Sequence, residues 1–104
     1  MYIMANRLDL HETLCSILGS RNVYFQPPES VKMEYPAIKY SLSNMKNNHA
    51  NDKVYTQSRS YQIIVIDKSP DSMISDKISK LPYCKFDRSY ASDGLNHYIY
   101  TLYY

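Results

Sequence analysis

The sequence has no tryptophan and only two glycines, Gly19 and Gly94, in its 104 residues. With so few glycines, no glycine-rich loop is available to cradle a phosphate group, and few turns can use a left-handed backbone. The two cysteines, Cys15 and Cys84, stand alone and form no CxxC pair. Two free thiols are therefore expected, rather than a disulfide or a cysteine-rich metal site.

Long apolar runs and strong net charge are also missing. No run approaches the roughly 18 apolar residues of a membrane span, and the N-terminal residues lack the apolar centre of a secretory signal. A formal net charge of +2 is too small to indicate nucleic-acid binding by itself. The length predicts one domain, residues 1–104.

Residues able to carry chemistry are scattered along the chain. His11, His49 and His97 are far apart, and none belongs to an HExxH zinc motif. Asp67 and Asp71 are candidates for acid–base chemistry, but their position ahead of a predicted helix favours turn and capping roles. No serine or cysteine lies in a GxSxG-like setting. We therefore expect no enzyme activity, no catalytic residues, no cofactor and no metal.

Tyrosine is what the sequence has in excess, with 12 copies. Its ring is apolar and its hydroxyl is polar, so tyrosines suit half-buried surfaces and subunit interfaces. Tyrosine also has a high propensity for strands. The count alone does not separate these two explanations.

Periodicity and breaker residues predict two helices. Leucines four residues apart predict a helix over residues 6–18, which Gly19 would end. Ser69-Pro70-Asp71 has the order of an N-cap, a first-turn proline and an acid, and predicts a second helix over 70–80. Pro82 would end it.

Five strands are predicted, three before the second helix and two after it. They lie at 22–26, 37–44 and 53–67, followed by a hairpin over 84–104 that turns at Asp93-Gly94. Residues 44–53 are the longest polar stretch and are expected to form a long loop or a hairpin tip. The order α-β-β-β-α-β-β predicts an α+β fold with a mostly antiparallel sheet and both helices packed mainly on one face.

Two of the predicted strands are apolar on both faces. In the strand 53–67, Ile63 and Val65 point to one side while Ile64 and Ile66 point to the other, and the last strand repeats this pattern. Two short helices cover about one face of five strands. We infer that a second copy or a partner subunit covers the other face, with tyrosines lying on a solvated face as the alternative.

Four segments together resemble small tail-completion proteins of long-tailed bacteriophages, and most nearly their tail terminator proteins. They are VYFQPPES (23–30), EYPAIKY (34–40), YQIIVIDKSPDS (61–72) and LPYCKFDRSYASDGLNHYIYTLYY (81–104). The resemblance covers nearly the whole chain.

This resemblance implies a subunit of a hexameric ring that caps the head-proximal end of the tail tube. The ring would stop tube polymerisation and offer a docking surface to a head-side connector or stopper protein. DNA would pass through the lumen without its sequence being read. The implied location is the virion, after assembly in the bacterial cytoplasm, and the resemblance brings no catalytic residues.

Candidate contact residues fall into three groups: the polar stretch, charged residues of the predicted strands, and tyrosines of the last strand. They are Met45, Lys46, Asn47, Asn48, His49, Arg59, Asp87, Arg88, Asp93, Tyr98, Tyr100 and Tyr104.

Two other functions stay open at this point. The first is a head–tail connector or stopper subunit, which would bind the head side rather than the tube protein. The second is a small nucleic-acid-binding module, because Lys39, Arg59, Lys85 and Arg88 alternate with tyrosines on predicted strands.

Overall fold

The computed structural model describes residues 7–28, 30–50 and 53–103, apart from the side chains of 44–50 and 53–58. The chain order α-β-β-β-α-β-β confirms the predicted α+β fold. The elements are α1 (Arg7–Leu18), β1 (Val23–Phe25), β2 (Ala37–Ala50), β3 (Lys53–Asp67), α2 (Met73–Ser79), β4 (Cys84–Ser92) and β5 (Leu95–Tyr103).

The five strands form one sheet in the order β1-β2-β3-β5-β4. All neighbouring strands are antiparallel except β1 and β2, which are parallel. Strand β3 lies at the centre, between β2 and β5, where its β-branched run can be covered on both faces. The short β1 and the nine-residue β4 form the two edges of the sheet.

The core lies on one face of the sheet, here called the helical face, because α1 and α2 pack there. Alternate residues of β2, β3 and β5 point to this face, and their registers bring Ile63 between Tyr40 and Tyr100. The buried cluster contains Leu10, Leu14, Cys15, Val23, Ile38, Tyr40, Tyr61, Ile63, Val65, Ile78, Tyr100 and Leu102. The prediction that both helices cover one face is confirmed.

The opposite, open face is less exposed than the sequence suggested. Ile66 and Ile99 lie on it and are only 5% and 3% exposed. Val31 and Tyr35, from the connection between β1 and β2, line a cleft together with Ile66. The protomer therefore buries Ile66 and Ile99 with its own residues, whereas Ile64 is only half-buried, and coverage of this face by another subunit stays a prediction.

Helix α2 begins three residues later than its sequence signal predicted. Ser72 is the N-cap, and its hydroxyl accepts a hydrogen bond from the Ser75 amide at 3.2 Å. The Ser69 hydroxyl instead accepts from the Asp71 amide at 3.2 Å, which makes a local turn ahead of the helix. Asp67 likewise accepts from the Ser69 amide, so its turn role is confirmed.

Replacing Ser72 with alanine should lower the free energy of unfolding by about 1 kcal/mol, because the buried cap leaves an amide without its acceptor. Urea denaturation followed by circular dichroism measures this. Ser69→Ala is the matched control and should cost less, since Ser69 is exposed and caps no helix. An equal or larger loss for Ser69→Ala would place the cap at Ser69.

The β4–β5 hairpin turns at Asp93 and Gly94, as predicted. Both residues have a left-handed backbone, with φ of 53° and 75°, which a two-residue type I′ turn requires. Earlier in the hairpin, a β-bulge interrupts the register between Phe86 and Arg88. Because of this bulge, Phe86 shares the helical face with Tyr100, whereas Arg88 lies on the open face.

Candidate assembly surfaces

A two-stranded ribbon extends beyond the body of the sheet. The β2–β3 ladder continues from Met45 opposite Arg59 to Ala50 opposite Lys53. Among the described residues, β5 pairs with β3 only from Ser60 onward, so this part of β3 has β2 as its one sheet neighbour. We call residues 44–50 and 53–59 the arm.

The arm replaces the predicted long loop at 44–53. Of the two expectations for this stretch, the hairpin is confirmed and the loop is corrected, since strand pairing runs to Ala50 and resumes at Lys53. Main-chain pairing needs no apolar side chains, so the polar sequence did not reveal it. Seven residues of strand span about 23 Å, and the longest dimension of the whole molecule is 52 Å.

An isolated two-stranded ribbon is only marginally stable in water. The arm therefore gains stability from any surface that adds main-chain hydrogen bonds or packing to it. This makes the arm a candidate contact element.

Strand β4 is the second candidate surface. It forms an edge of the sheet, and every residue from Lys85 to Ser92 is exposed. The outer amides and carbonyls of an edge strand are a template for another strand. The sequence placed the contact candidates Asp87 and Arg88 on this strand, but it did not reveal that the strand is an edge, because an edge strand and a central strand have the same local signal.

An apolar groove lies where α1, the end of α2 and β5 meet. Its volume is about 270 Å³, and its lining includes Leu10, Leu81 and Leu102. Tyr83 forms one wall with 81% of its surface exposed and a left-handed φ of 60°. Its carbonyl accepts a hydrogen bond from the Tyr103 amide at 3.1 Å, which holds this uncommon conformation.

The predicted contact residues separate into distinct places. Met45, Lys46, Asn47, Asn48 and His49 belong to β2 in the arm, and their side chains lie outside the description. Tyr104 lies outside the described residues altogether.

The charged candidates with described side chains lie at the base of the arm and on the β4–β5 hairpin. Asp87 is exposed and accepts a hydrogen bond from the Thr101 hydroxyl at 2.6 Å. Arg88 and Asp93 are exposed on β4 and at the hairpin turn, whereas Arg59 is half-buried at the base of the arm. The structure therefore brings Asp87, Arg88 and Asp93 onto one hairpin and leaves Arg59 apart from them.

The two tyrosine candidates serve the protomer itself. Tyr98 is half-buried and donates a hydrogen bond to the Pro70 carbonyl at 2.7 Å. Tyr100 is 3% exposed, and its hydroxyl bonds to the side chain and the carbonyl of Ser75. The assignment of Tyr100 to an interface is therefore corrected, because its β5 register places it in the core.

Burial raises the pKa of Tyr100, and the hydrogen bond with Ser75 opposes this only in part. The unfolded chain ionises this tyrosine near pH 10, whereas the folded chain holds it neutral to higher pH. Its contribution to stability is therefore fully present below about pH 10 and is lost as pH rises through the folded pKa.

Tyr100→Phe should consequently show a shallower loss of stability with alkaline pH than the wild type. At pH 7 the variant should lose about 1 kcal/mol, the worth of its buried hydrogen bonds. Urea denaturation from neutral pH to about pH 11 measures both effects. Identical pH slopes for the two proteins would contradict the raised pKa.

Within the described ranges, no three His, Cys, Asp or Glu side chains converge as metal ligands. Neither helix in this part of the chain is long and apolar enough to cross a membrane. Both cysteines are free, as expected, with Cys15 buried and Cys84 half-buried. Burial, and to a smaller extent the charge of Asp87, raises the pKa of the Cys84 thiol, which lowers its reactivity.

The arm, the β4 edge and the apolar groove are the candidate contact surfaces of the described residues. No protein-family model matches this chain, and no curated protein matches it either.

Proposed function

We propose that this protein is a structural subunit that assembles with copies of itself into a ring at the head-proximal end of a phage tail. In this role the ring, a hexamer in the proteins it resembles, ends polymerisation of the tail tube and presents a docking surface to a head-side connector protein. The protein would act in the virion after assembly in the host cytoplasm, with DNA passing through the lumen. The observation that carries the proposal is the β2–β3 arm.

The arm supports assembly because main-chain groups along its outer edges lack a strand partner within the described chain. Residues 44–50 and 53–59 extend beyond the body of the sheet, and the described chain offers them no third strand. A second subunit that pairs with the arm would supply the missing main-chain partners. A role in binding other protein chains explains such an arm better than a role in catalysis.

The two surfaces are also compatible with a ring. The arm and the β4 edge are different surfaces, so each subunit can offer one surface to one neighbour and the other surface to the next, which is a heterologous contact. Heterologous contacts produce closed rings when the rotation between subunits closes, and open filaments when it does not.

Light scattering coupled to size-exclusion chromatography, over a concentration series, tests the proposal together with negative-stain electron microscopy. A closed ring of defined size is expected, either for the protein alone or after addition of tail tubes. A protein that stays monomeric at every concentration and does not bind the tubes would contradict the proposal.

A pull-down separates the proposed role from that of a connector or stopper. The tail tube protein and the head-completion protein encoded in the same genome serve as the two baits. Retention by the tube protein supports the terminator role. Retention by the head-completion protein alone would place the ring on the head side of the joint.

A further inference from the structure

We propose that the arm of one copy pairs with the β4 edge of a second copy, so that the outer edge of β3 in the arm continues the neighbour's sheet beyond β4. The inference rests on the proposed self-assembly and names the surfaces that would carry it. Both surfaces are strand edges within the described structure, and both belong to the same chain.

Three features fix which main-chain groups of β4 point outward. The two-residue turn makes Ser92 and Leu95 a hydrogen-bonded pair, and inward and outward groups alternate from there. The bond from the Tyr103 amide to the Tyr83 carbonyl sets the same alternation from the other end, and the bulge after Phe86 absorbs the one-residue difference. The outward amides are therefore those of Cys84, Phe86, Ser89 and Ala91.

The two halves of β4 differ in how well they accept another strand. The first half carries Lys85, Asp87, Arg88 and the bulge, which are the features that protect natural sheet edges from pairing. The second half, residues 89–92, is uncharged, has no proline and is exposed throughout. The contact is therefore centred on the outward groups of Ser89 and Ala91.

The arm offers two strands, and β3 is the better partner. Residues 53–58 of β3 read KVYTQS and include valine, tyrosine and threonine, which favour extended structure. Residues 44–50 of β2 read NMKNNHA, in which asparagine is the commonest residue and has a low strand propensity. Pairing through β3 also leaves β2 as the strand that holds the arm to its own body.

Proline at position 89 tests the contact directly. Ser89→Pro removes an outward amide and adds a ring to the outer edge, while the bonds from β4 to β5 remain, because edge strands accept proline at such positions. The variant should raise the concentration needed for assembly by about tenfold or more. Ser89→Ala keeps the amide and is the matched control, expected to assemble as the wild type does.

A mixing experiment identifies the partner of the β4 edge. A second variant has residues 47–57 replaced by Asn-Gly, which shortens the arm and leaves β4 intact. At concentrations that suffice for the wild type but lie below the raised threshold of Ser89→Pro, each variant alone should be monomeric by light scattering. Ser89→Pro still has an arm and the arm-shortened variant still has a β4 edge, so mixing them should give a one-to-one dimer that grows no further.

The possible results separate arm–β4 pairing from ring assembly. Wild-type assembly combined with monomers in the mixture would overturn arm–β4 pairing and leave ring assembly standing. Arm–β4 pairing within an open filament would overturn the ring and leave the contact standing, and a wild type that never assembles would overturn both. Ala91→Pro replaces Ser89→Pro if circular dichroism shows that the first variant is unfolded.

Discussion

Shortening the arm should produce a folded protein that no longer assembles. Replacement of residues 47–57 by Asn-Gly removes the strand segment proposed to pair with a second copy, so the ring should be lost at every concentration that suffices for the wild type. This is the largest functional effect expected from any single change. Light scattering and electron microscopy, with and without tail tubes, measure it.

The fold should survive this change because the arm lies beyond the part of β3 that pairs with both β2 and β5. Strand β3 pairs with β5 from Ser60 to Asp67, and the buried residues of β3 that the structure describes lie in this same segment. The free energy of unfolding should therefore stay within about 0.5 kcal/mol of the wild type. A large loss of stability would show that the arm belongs to the folding unit, and full assembly without the arm would contradict the proposed function.

Ile63→Ala should cause the largest loss of stability, about 2–5 kcal/mol. Ile63 is fully buried at the centre of the helical face, opposite Tyr40 on β2 and Tyr100 on β5. Alanine would leave a cavity, and the three strands and two helices around it cannot move inward to fill it. A loss of this size is a large fraction of the 5–15 kcal/mol that stabilises most domains. Urea denaturation provides the measurement.

Ile64→Ala is the matched control for this prediction. The two isoleucines are adjacent on the same strand and differ in the face they occupy, since Ile64 is only half-buried on the open face. Its replacement should therefore cost clearly less than that of Ile63. Equal losses would show that the open face is packed as tightly as the helical face.

Local sequence determined the elements whose signals are local. Leu10 and Leu14 mark the buried side of α1, and the run Ile63 to Ile66 marks the central strand, because side-chain periodicity follows directly from backbone geometry. Asp93-Gly94 marks the hairpin because only certain residues accept two successive left-handed conformations. These patterns were sufficient to predict the element order and the α+β class.

Where two nearby residues carry the same sequence signal, the fold decided which of them takes the role. Ser69 and Ser72 are both possible N-caps in the sequence, and Ser72 caps α2 in the structure because its hydroxyl reaches the Ser75 amide in a buried position. Tyr98 and Tyr100 have the same residue type and face. Only the position along β5 brings the Tyr100 hydroxyl under α2, where Ser75 binds it.

What the sequence by itself determined is the order of the elements and the buried side of α1, since both depend on residues a few positions apart. Only the tertiary structure decided which strands form the edges of the sheet and which part of β3 has a single strand neighbour. Edge status depends on pairings between residues far apart in the chain, such as Ser60 with Tyr103. The arm and the β4 edge, on which the proposed assembly rests, follow from those distant pairings and leave no local signal.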